Sequence, residues 1–351
     1  MLLRCCTNLL DFYRRCGVIE KIRFFDEYCF VEPGGRVSRL RPALESLIRC
    51  RFLGLGDKLA IARGLRSMSR QRSSGDLDAV PFAAWLKDHG QTERAVARFW
   101  RPIVVSALNE QPERASTLPA FQVFLQGFLA GSDGYQMGVP AVPLAELYTG
   151  ALPEVRIFLR SSLARLDPAD GSADFYLSAV PFERVRDLVP SLDLNLERFE
   201  HSPITGIHFW LDREIMTLPQ AALLDRTIQW IFRKSPTHYH LVVSASRSLI
   251  PLARQEVIDL AWRELGEFFP SARQARIERA QVIKEVRATY SPAPGVEAAR
   301  PGPQTRYPNL FLAGDWTRSG WPATMEGAVR SGYLAAEAIA GAAGRPQKFL
   351  L

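Results

Sequence analysis

Cysteine is scarce and unevenly placed: Cys5, Cys6, Cys16, Cys29 and Cys50 all fall in the first 50 of 351 residues, and none follows. The number is odd, no pair has C-x-x-C spacing and no histidine pair lies near. This argues against a zinc site and for reduced thiols in a cytosolic chain. No run reaches the ~18 consecutive apolar residues of a membrane-spanning helix. The N-terminus carries Arg4 but no apolar core with a small-residue cleavage site, so no signal peptide is expected. Repeats and low-complexity tracts are also missing. Charge of one sign is in modest excess: 44 Lys+Arg against 37 Asp+Glu gives +7, spread along the chain rather than gathered into a tail. A basic balance favours anionic surfaces. No nucleic-acid motif accompanies it, so nucleic acid is not an expected partner.

What is present reads as globular, with 47% apolar and 23% charged residues. At roughly 150 residues per domain, the length suggests about two. Asn8 to Cys16 reads as a helix, with Asn8 able to cap it and Gly17 to end it. Cys29 to Arg36 reads as a short strand broken at Pro33-Gly34-Gly35. Pro42 to Ala130 reads as mostly helical. Within it Phe121, Phe124, Leu125, Phe128 and Leu129 recur at i, i+3, i+4, i+7 and i+8, a wide aromatic face. Beyond Pro143 strand signals take over at Val155–Leu159, Asp174–Val180, Ile204–Leu211, Ile228–Phe232 and Tyr239–Val243, the last three as in an antiparallel sheet. Helices are expected at Glu183–Val189 and Gln255–Phe269. A strand around Val282–Arg287 follows, then a short apolar strand at Asn309–Ala313 and a helix at Thr324–Ala340.

The segment Asn309-Leu-Phe-Leu-Ala-Gly-Asp315 through Pro322-Ala-Thr-Met-Glu-Gly-Ala-Val-Arg-Ser-Gly332 carries the clearest chemistry. It reads as a buried strand ending in Gly314-Asp315, a loop, and a small-residue helix. A carboxylate at a strand end suits the hydroxyls of a polyol or ribose. A helix N-terminus offers free N–H groups to an anion. A plain strand–turn–helix crossover with a surface Asp would read the same way.

This segment resembles the C-terminal FAD motif of the flavin amine oxidase and phytoene desaturase superfamily. Ala313-Gly-Asp-Trp-Thr317, Cys6-Thr-Asn-Leu-Leu-Asp-Phe12, Trp100-Arg-Pro-Ile103, Ala107-Leu-Asn109 and Arg287-Ala-Thr289 narrow the likeness to hydroxysqualene dehydroxylases, over about Leu3 to Ala340. The resemblance implies an α/β fold: a discontinuous, Rossmann-like FAD/NAD(P)-binding domain with an inserted α+β substrate domain. The expected boundaries are FAD-domain segments at 1–40, 146–200 and 251–345, substrate-domain parts at 41–145 (helical) and 201–250 (antiparallel), and a tail at 346–351. It implies FAD held by Gly314, Asp315, Thr324, Met325, Glu326 and Ala328, with Val180 near the dinucleotide and Leu163 against the adenine. It also implies an isoprenoid substrate and FAD-dependent reductive removal of the hydroxyl of hydroxysqualene to give squalene. A carotenoid-type desaturase, an amine oxidase and a non-catalytic remnant remain as alternatives.

The superfamily opens with strand, G-x-G-x-x-G and helix, the unit that seats the pyrophosphate. This sequence has none. Gly54-Leu55-Gly56 lacks the third glycine and reads as a loop. The chain is therefore expected to start past that unit and to hold flavin weakly. Phe121, Phe124 and Phe128 suit either an isoprenoid channel or ordinary helix packing. Arg63, Arg66, Arg70 and Arg72 suit either anionic lipid headgroups, giving peripheral contact with the inner face of the cell membrane, or a merely solvated face. His238 and His240 share a strand face without a third metal ligand. His208 and Lys284 sit mid-strand, near substrate or flavin or simply packed. No catalytic acid is assigned and no metal is expected.

Overall fold

The computed structural model describes residues 1–41, 49–71, 75–128, 134, 136–148 and 155–351. Its strands are β1 (Leu2–Leu3), β2 (Ile22–Phe25), β3 (Tyr28–Val31), β4 (Val37–Leu40), β5 (Met137–Pro140) and β6 (Tyr176–Ser178). They continue as β7 (His201–Leu211), β8 (Gln220–Leu223), β9 (Trp230–Arg233), β10 (His238–Ser244), β11 (Ile277–Tyr290) and β12 (Leu310–Leu312). The longer helices are α1 (Thr7–Arg15), α2 (Leu55–Arg70), α3 (Phe82–Asp88), α4 (Arg101–Leu108), α5 (Phe182–Leu188), α6 (Arg254–Phe268) and α7 (Met325–Ala342). The chain forms two units: Met1–Phe24, Met137–Phe199 and Gly295–Leu351 make the first, Phe25–Gln136 and Glu200–Pro294 the second. Residues 25–40 and 251–294 thus pack in the second unit.

The second unit is built on a seven-stranded mixed sheet, β11-β7-β10-β9-β8-β3-β4. Strict alternation along β7 sends Ile207, Phe209 and Leu211 to one face, where they meet Tyr239, Leu241 and Val243 of β10 and Val257, Ala261, Leu265 and Phe268 of α6. A helical layer holds a second core. Trp100 meets Phe124 edge-on at 4.7 Å and Trp85 meets Phe121 edge-on at 5.0 Å, and both phenylalanines are buried. These two rings are therefore in helix–helix packing. The side chain of Phe128, and Leu129, lie outside the described residues.

Asn109 joins the helical layer to the sheet. It ends α4 in the left-handed conformation (φ 52°), which Asn tolerates better than most residues. Its Nδ2 donates to Ser202 O (2.9 Å) and Thr289 Oγ1 (3.0 Å), and its Oδ1 accepts from Ala245 N (2.7 Å). Next to it the fully buried Glu110 accepts from Ser291 Oγ (2.5 Å) and Arg247 Nη1 (2.7 Å). Two of the short segments that carry the family resemblance, around Asn109 and Thr289, thus meet as structural partners.

In the first unit β12 pairs with β6 in a two-stranded parallel sheet, and β1, β5 and β2 form another. Three local expectations are corrected. Val155–Leu159 is irregular, with Val155, Ile157 and Leu159 54%, 71% and 81% exposed. An apolar alternation makes a strand only against a hydrogen-bonding neighbour, and this segment has none among the described residues. Gly54-Leu55-Gly56 opens α2 instead of looping, because the Asp57 carboxylate accepts from Gly54 N (2.8 Å) and closes the first turn. Cys6, not Asn8, stands at the N-cap position of α1, without a side-chain hydrogen bond to the helix. Arg63, Arg66 and Arg70 line the exposed side of α2. Arg72 lies outside the described residues. No described helix is long and apolar enough to cross a membrane.

The second face of the large sheet carries a histidine stack. His208 Nδ1 lies 3.0 Å from His238 Nε2, the His208 and His240 rings stack at 4.1 Å, and Trp210 stacks on His238 at 4.4 Å. No three His, Cys, Asp or Glu side chains among the described residues are grouped to hold a metal. Burial, then the neighbouring cations, lowers all three imidazoles, His240 to about 3. The folded sheet therefore refuses protons that an unfolded histidine takes up near pH 6.5. Stability is predicted to be flat above that pH and to fall below it, by up to ~1.4 kcal/mol per pH unit for each excluded proton. Urea midpoints at pH 7.5 and 5 should differ less in His240→Gln than in the parent; equal differences would contradict the reading.

Candidate functional site

The site grows from the carboxyl ends of the parallel pair β6–β12, the end at which open α/β sheets bind ligands. Ala313 N donates to Ser178 O (2.9 Å), extending the ladder, and the chain then turns at Gly314 with φ 130°, a conformation essentially confined to glycine. Trp316 is buried and its Nε1 donates to Val180 O (3.0 Å), tying the loop back to the end of β6.

Arg300, fully buried, is the spool on which the following loop winds. Its Nη2 donates to the carbonyls of Asp315 (3.0 Å), Thr317 and Trp321 (3.0 Å), and its Nη1 pairs with Glu297 (2.7 Å). Nothing local in Arg300-Pro-Gly-Pro announces this role, and sequence reasoning missed it. With the guanidinium turned to carbonyls, the half-buried Asp315 carboxylate is incompletely compensated. Burial pushes its pKa up, against the pull of the Arg300 charge.

The loop ends at Thr324, whose Oγ1 caps α7 by accepting from Gly327 N (3.1 Å). The cap is tight: a Cβ on Gly327 would lie 2.3 Å from Pro322 O. The first N–H groups of α7, at Met325 and Glu326, have no acceptor among the described residues. The Glu326 side chain is buried and turned away. Its carboxylate accepts from Leu9 N (2.6 Å), Asn8 N (3.3 Å) and Asn8 Nδ2 (2.9 Å), at the positive end of α1. Tyr13 and Tyr148, hydroxyls 3.1 Å apart, both contact Met325 Sδ.

The description "flavin containing amine oxidoreductase" matches residues 9–340. The chain belongs to this family. It is 31% identical to the hydroxysqualene dehydroxylase of Sinorhizobium fredii over 261 residues, covering 68% of this chain and 61% of that protein. It is 27% identical to the 15-cis-phytoene desaturase of Solanum lycopersicum over 307 residues, covering 75% and 52%. The chain thus spans between half and two thirds of these relatives. Among solved structures, cyclohexylamine oxidase from Brevibacterium oxydans superposes with a TM-score of 0.70 at 16% identity, over 98% of this chain and 86% of that one. The fold is the α/β flavoprotein fold of that family.

FAD is the cofactor of flavin-containing amine oxidoreductases, and two features of the first unit fit it. The Ser178 hydroxyl, at the end of β6, is buried without a hydrogen-bond partner among the described residues. The undercompensated Asp315 carboxylate stands at the end of the adjacent strand. Both sit where a polyol with hydroxyl donors would satisfy them. Gly314, Asp315, Thr324, Met325, Glu326 and Ala328 lie along one loop and helix start, with Ala328 exposed and Val180 half-buried. Leu163 lies 62% exposed in an irregular segment. His208, in the second unit, is engaged by His238, and Lys284 Nζ donates to the Ile250 (2.9 Å) and Leu252 carbonyls.

Glu326→Ala would remove one carboxylate from three donors at once. We expect a loss of about 3 kcal/mol in urea unfolding, given 1.5–3 for a hydrogen bond to a charged group. A loss below about 1 kcal/mol would show that α1 is held by its apolar contacts alone.

Proposed function

We propose that this chain is an FAD-dependent oxidoreductase that removes the hydroxyl of hydroxysqualene reductively to give squalene. The observation that carries the flavin assignment is the half-buried Asp315 carboxylate beside the buried, unpartnered Ser178 hydroxyl at the carboxyl ends of a parallel strand pair. Support for the substrate comes from the dehydroxylase relative at 31% identity. In this reading the first unit holds the cofactor.

FAD, when bound, supplies the electron pair and hydrogen that replace a C–O bond by C–H, the oxygen leaving as water. The chain's own residues bind and orient. Asp315 and Ser178 take hydroxyls of the polyol, and the free N–H groups of Met325 and Glu326 favour negative charge placed at the helix start, by about 1–2 kcal/mol in a partly buried setting. Glu326 is committed to α1, which removes it as a proton donor to substrate. Lacking G-x-G-x-x-G, these 351 residues should bind FAD loosely.

Because burial makes ionised Asp315 costly, Asp315→Asn should stabilise the ligand-free chain while weakening FAD at least about tenfold, the loss of a charge-assisted hydrogen bond. Quenching of flavin fluorescence on titration, alongside urea unfolding, checks both signs. Unchanged FAD affinity, or no saturable quenching by the folded parent, overturns the assignment. The phytoene desaturase relative supports a second reading, in which the flavin runs oxidatively. Incubation with hydroxysqualene and reduced FAD should give squalene, whereas desaturation of phytoene by the oxidised form would favour the second.

A further inference from the structure

Helix α2, in the second unit, packs one side and leaves the other bare. Ile61, Leu65 and Met68 are buried in the core of the helical layer. At about 100° per residue, the exposed side chains of Leu55, Leu59, Arg63, Arg66 and Arg70 fall on a single stripe away from that core, over roughly 22 Å of helix. Leu55 is 80% and Leu59 63% exposed, more than any other large apolar side chain described in this unit. Four residues apart, the two leucines are neighbours on the surface. The arginines that follow them meet no carboxylate among the described residues. Arg98 and Arg101 of the same layer do, Arg98 pairing with Asp225 (2.5 Å) and Arg101 with Glu113 (2.6 Å). The one acid of α2, Asp57, is buried and engaged by Gly54 N (2.8 Å) and Thr92 Oγ1 (2.5 Å). The stripe thus has bare leucines at its start, bare cations along the rest, and no anion of its own.

A solvated basic face needs no bare leucine beside it. A soluble anion accounts for the arginines and gives the leucines nothing. A lipid surface accounts for both, because apolar side chains enter the acyl boundary while guanidinium groups, on long flexible stems, stay at the level of the phosphates. We propose that α2 docks this chain on an anionic lipid bilayer, with Leu55 and Leu59 inserted and Arg63, Arg66 and Arg70 on lipid phosphates. The leucines occupy the N-terminal part of the stripe and the arginines the rest, so the helix meets the surface obliquely, its N-terminal end deeper. The attachment is reversible: it combines an apolar and an electrostatic contribution, each weak alone, and the second is screened by salt.

The test uses the full chain without flavin and so stands apart from the enzyme assignment. Flotation with vesicles of phosphatidylcholine alone, and of phosphatidylcholine mixed with phosphatidylglycerol, measures the bound fraction. We expect binding to the mixed vesicles to be at least about tenfold stronger than to phosphatidylcholine alone, and to weaken as salt is raised. The triple variant Arg63→Gln, Arg66→Gln, Arg70→Gln should lose about tenfold or more of that binding. The double variant Leu55→Gln, Leu59→Gln, at unchanged charge, should also lose about tenfold. Glutamine matches leucine and arginine closely in helix propensity, and every replaced side chain is exposed, so both variants keep the fold. No binding by the parent, equal binding to the two kinds of vesicle, or binding retained by either variant would overturn the proposal. Loss in the arginine variant with none in the leucine variant would mean a solvated basic face that vesicles adsorb to by charge alone.

Discussion

One carboxylate ties together two segments more than three hundred residues apart. Glu326 sits in the first turn of α7 and places both oxygens on the opening N–H groups of α1. A helix start carries unsatisfied donors and partial positive charge, so the buried anion there is compensated mainly by N–H groups, with Arg330 Nη1 4.0 Å away on its own helix. The arrangement fixes the first turn of α7 against α1, and no described residue accepts from the backbone N–H groups of Met325 and Glu326.

Around that anchor the loop 314–324 is held at every turn. Gly314 supplies a backbone geometry that other residues reach only with strain, Trp316 binds back to Val180, Arg300 gathers three carbonyls, and Thr324 closes the helix. The effect on Asp315 is indirect. The guanidinium nearest it is turned to carbonyls, and burial outweighs the charge and backbone hydrogen bonds that favour the ionised carboxyl, so its pKa is pushed up. Sites that bind ligands commonly hold such groups at a cost in stability.

Much of this was legible in the sequence because it is local. Strand, Gly-Asp turn and small-residue helix are adjacent, and so are their signals: apolar run, glycine, capping threonine. The alternation in β7 and β10 was equally readable, since burial on one face of a sheet leaves a period of two. What escaped was long-range. The resemblance spoke for the Glu326 backbone N–H and was silent on its side chain, which answers α1; Asn8 looked like a cap, yet it turns to Glu326. Arg300 gave no signal, because its partners are carbonyls set by the path of the chain rather than by side-chain type. Val155–Leu159 had a strand's pattern but lacks a described neighbour to pair with. The phenylalanines at 121 and 124 illustrate the opposite ambiguity: one spacing serves a channel or a core, and packing assigns the rings to the core.

The most direct test of the account is amide hydrogen exchange at Leu9 and Gly327, compared between the parent and Glu326→Gln. If the carboxylate couples the two helix starts, both amides lose protection together. Loss at Leu9 with Gly327 unchanged would mean that the first turn of α7 is held by its own loop, and the central claim would fail.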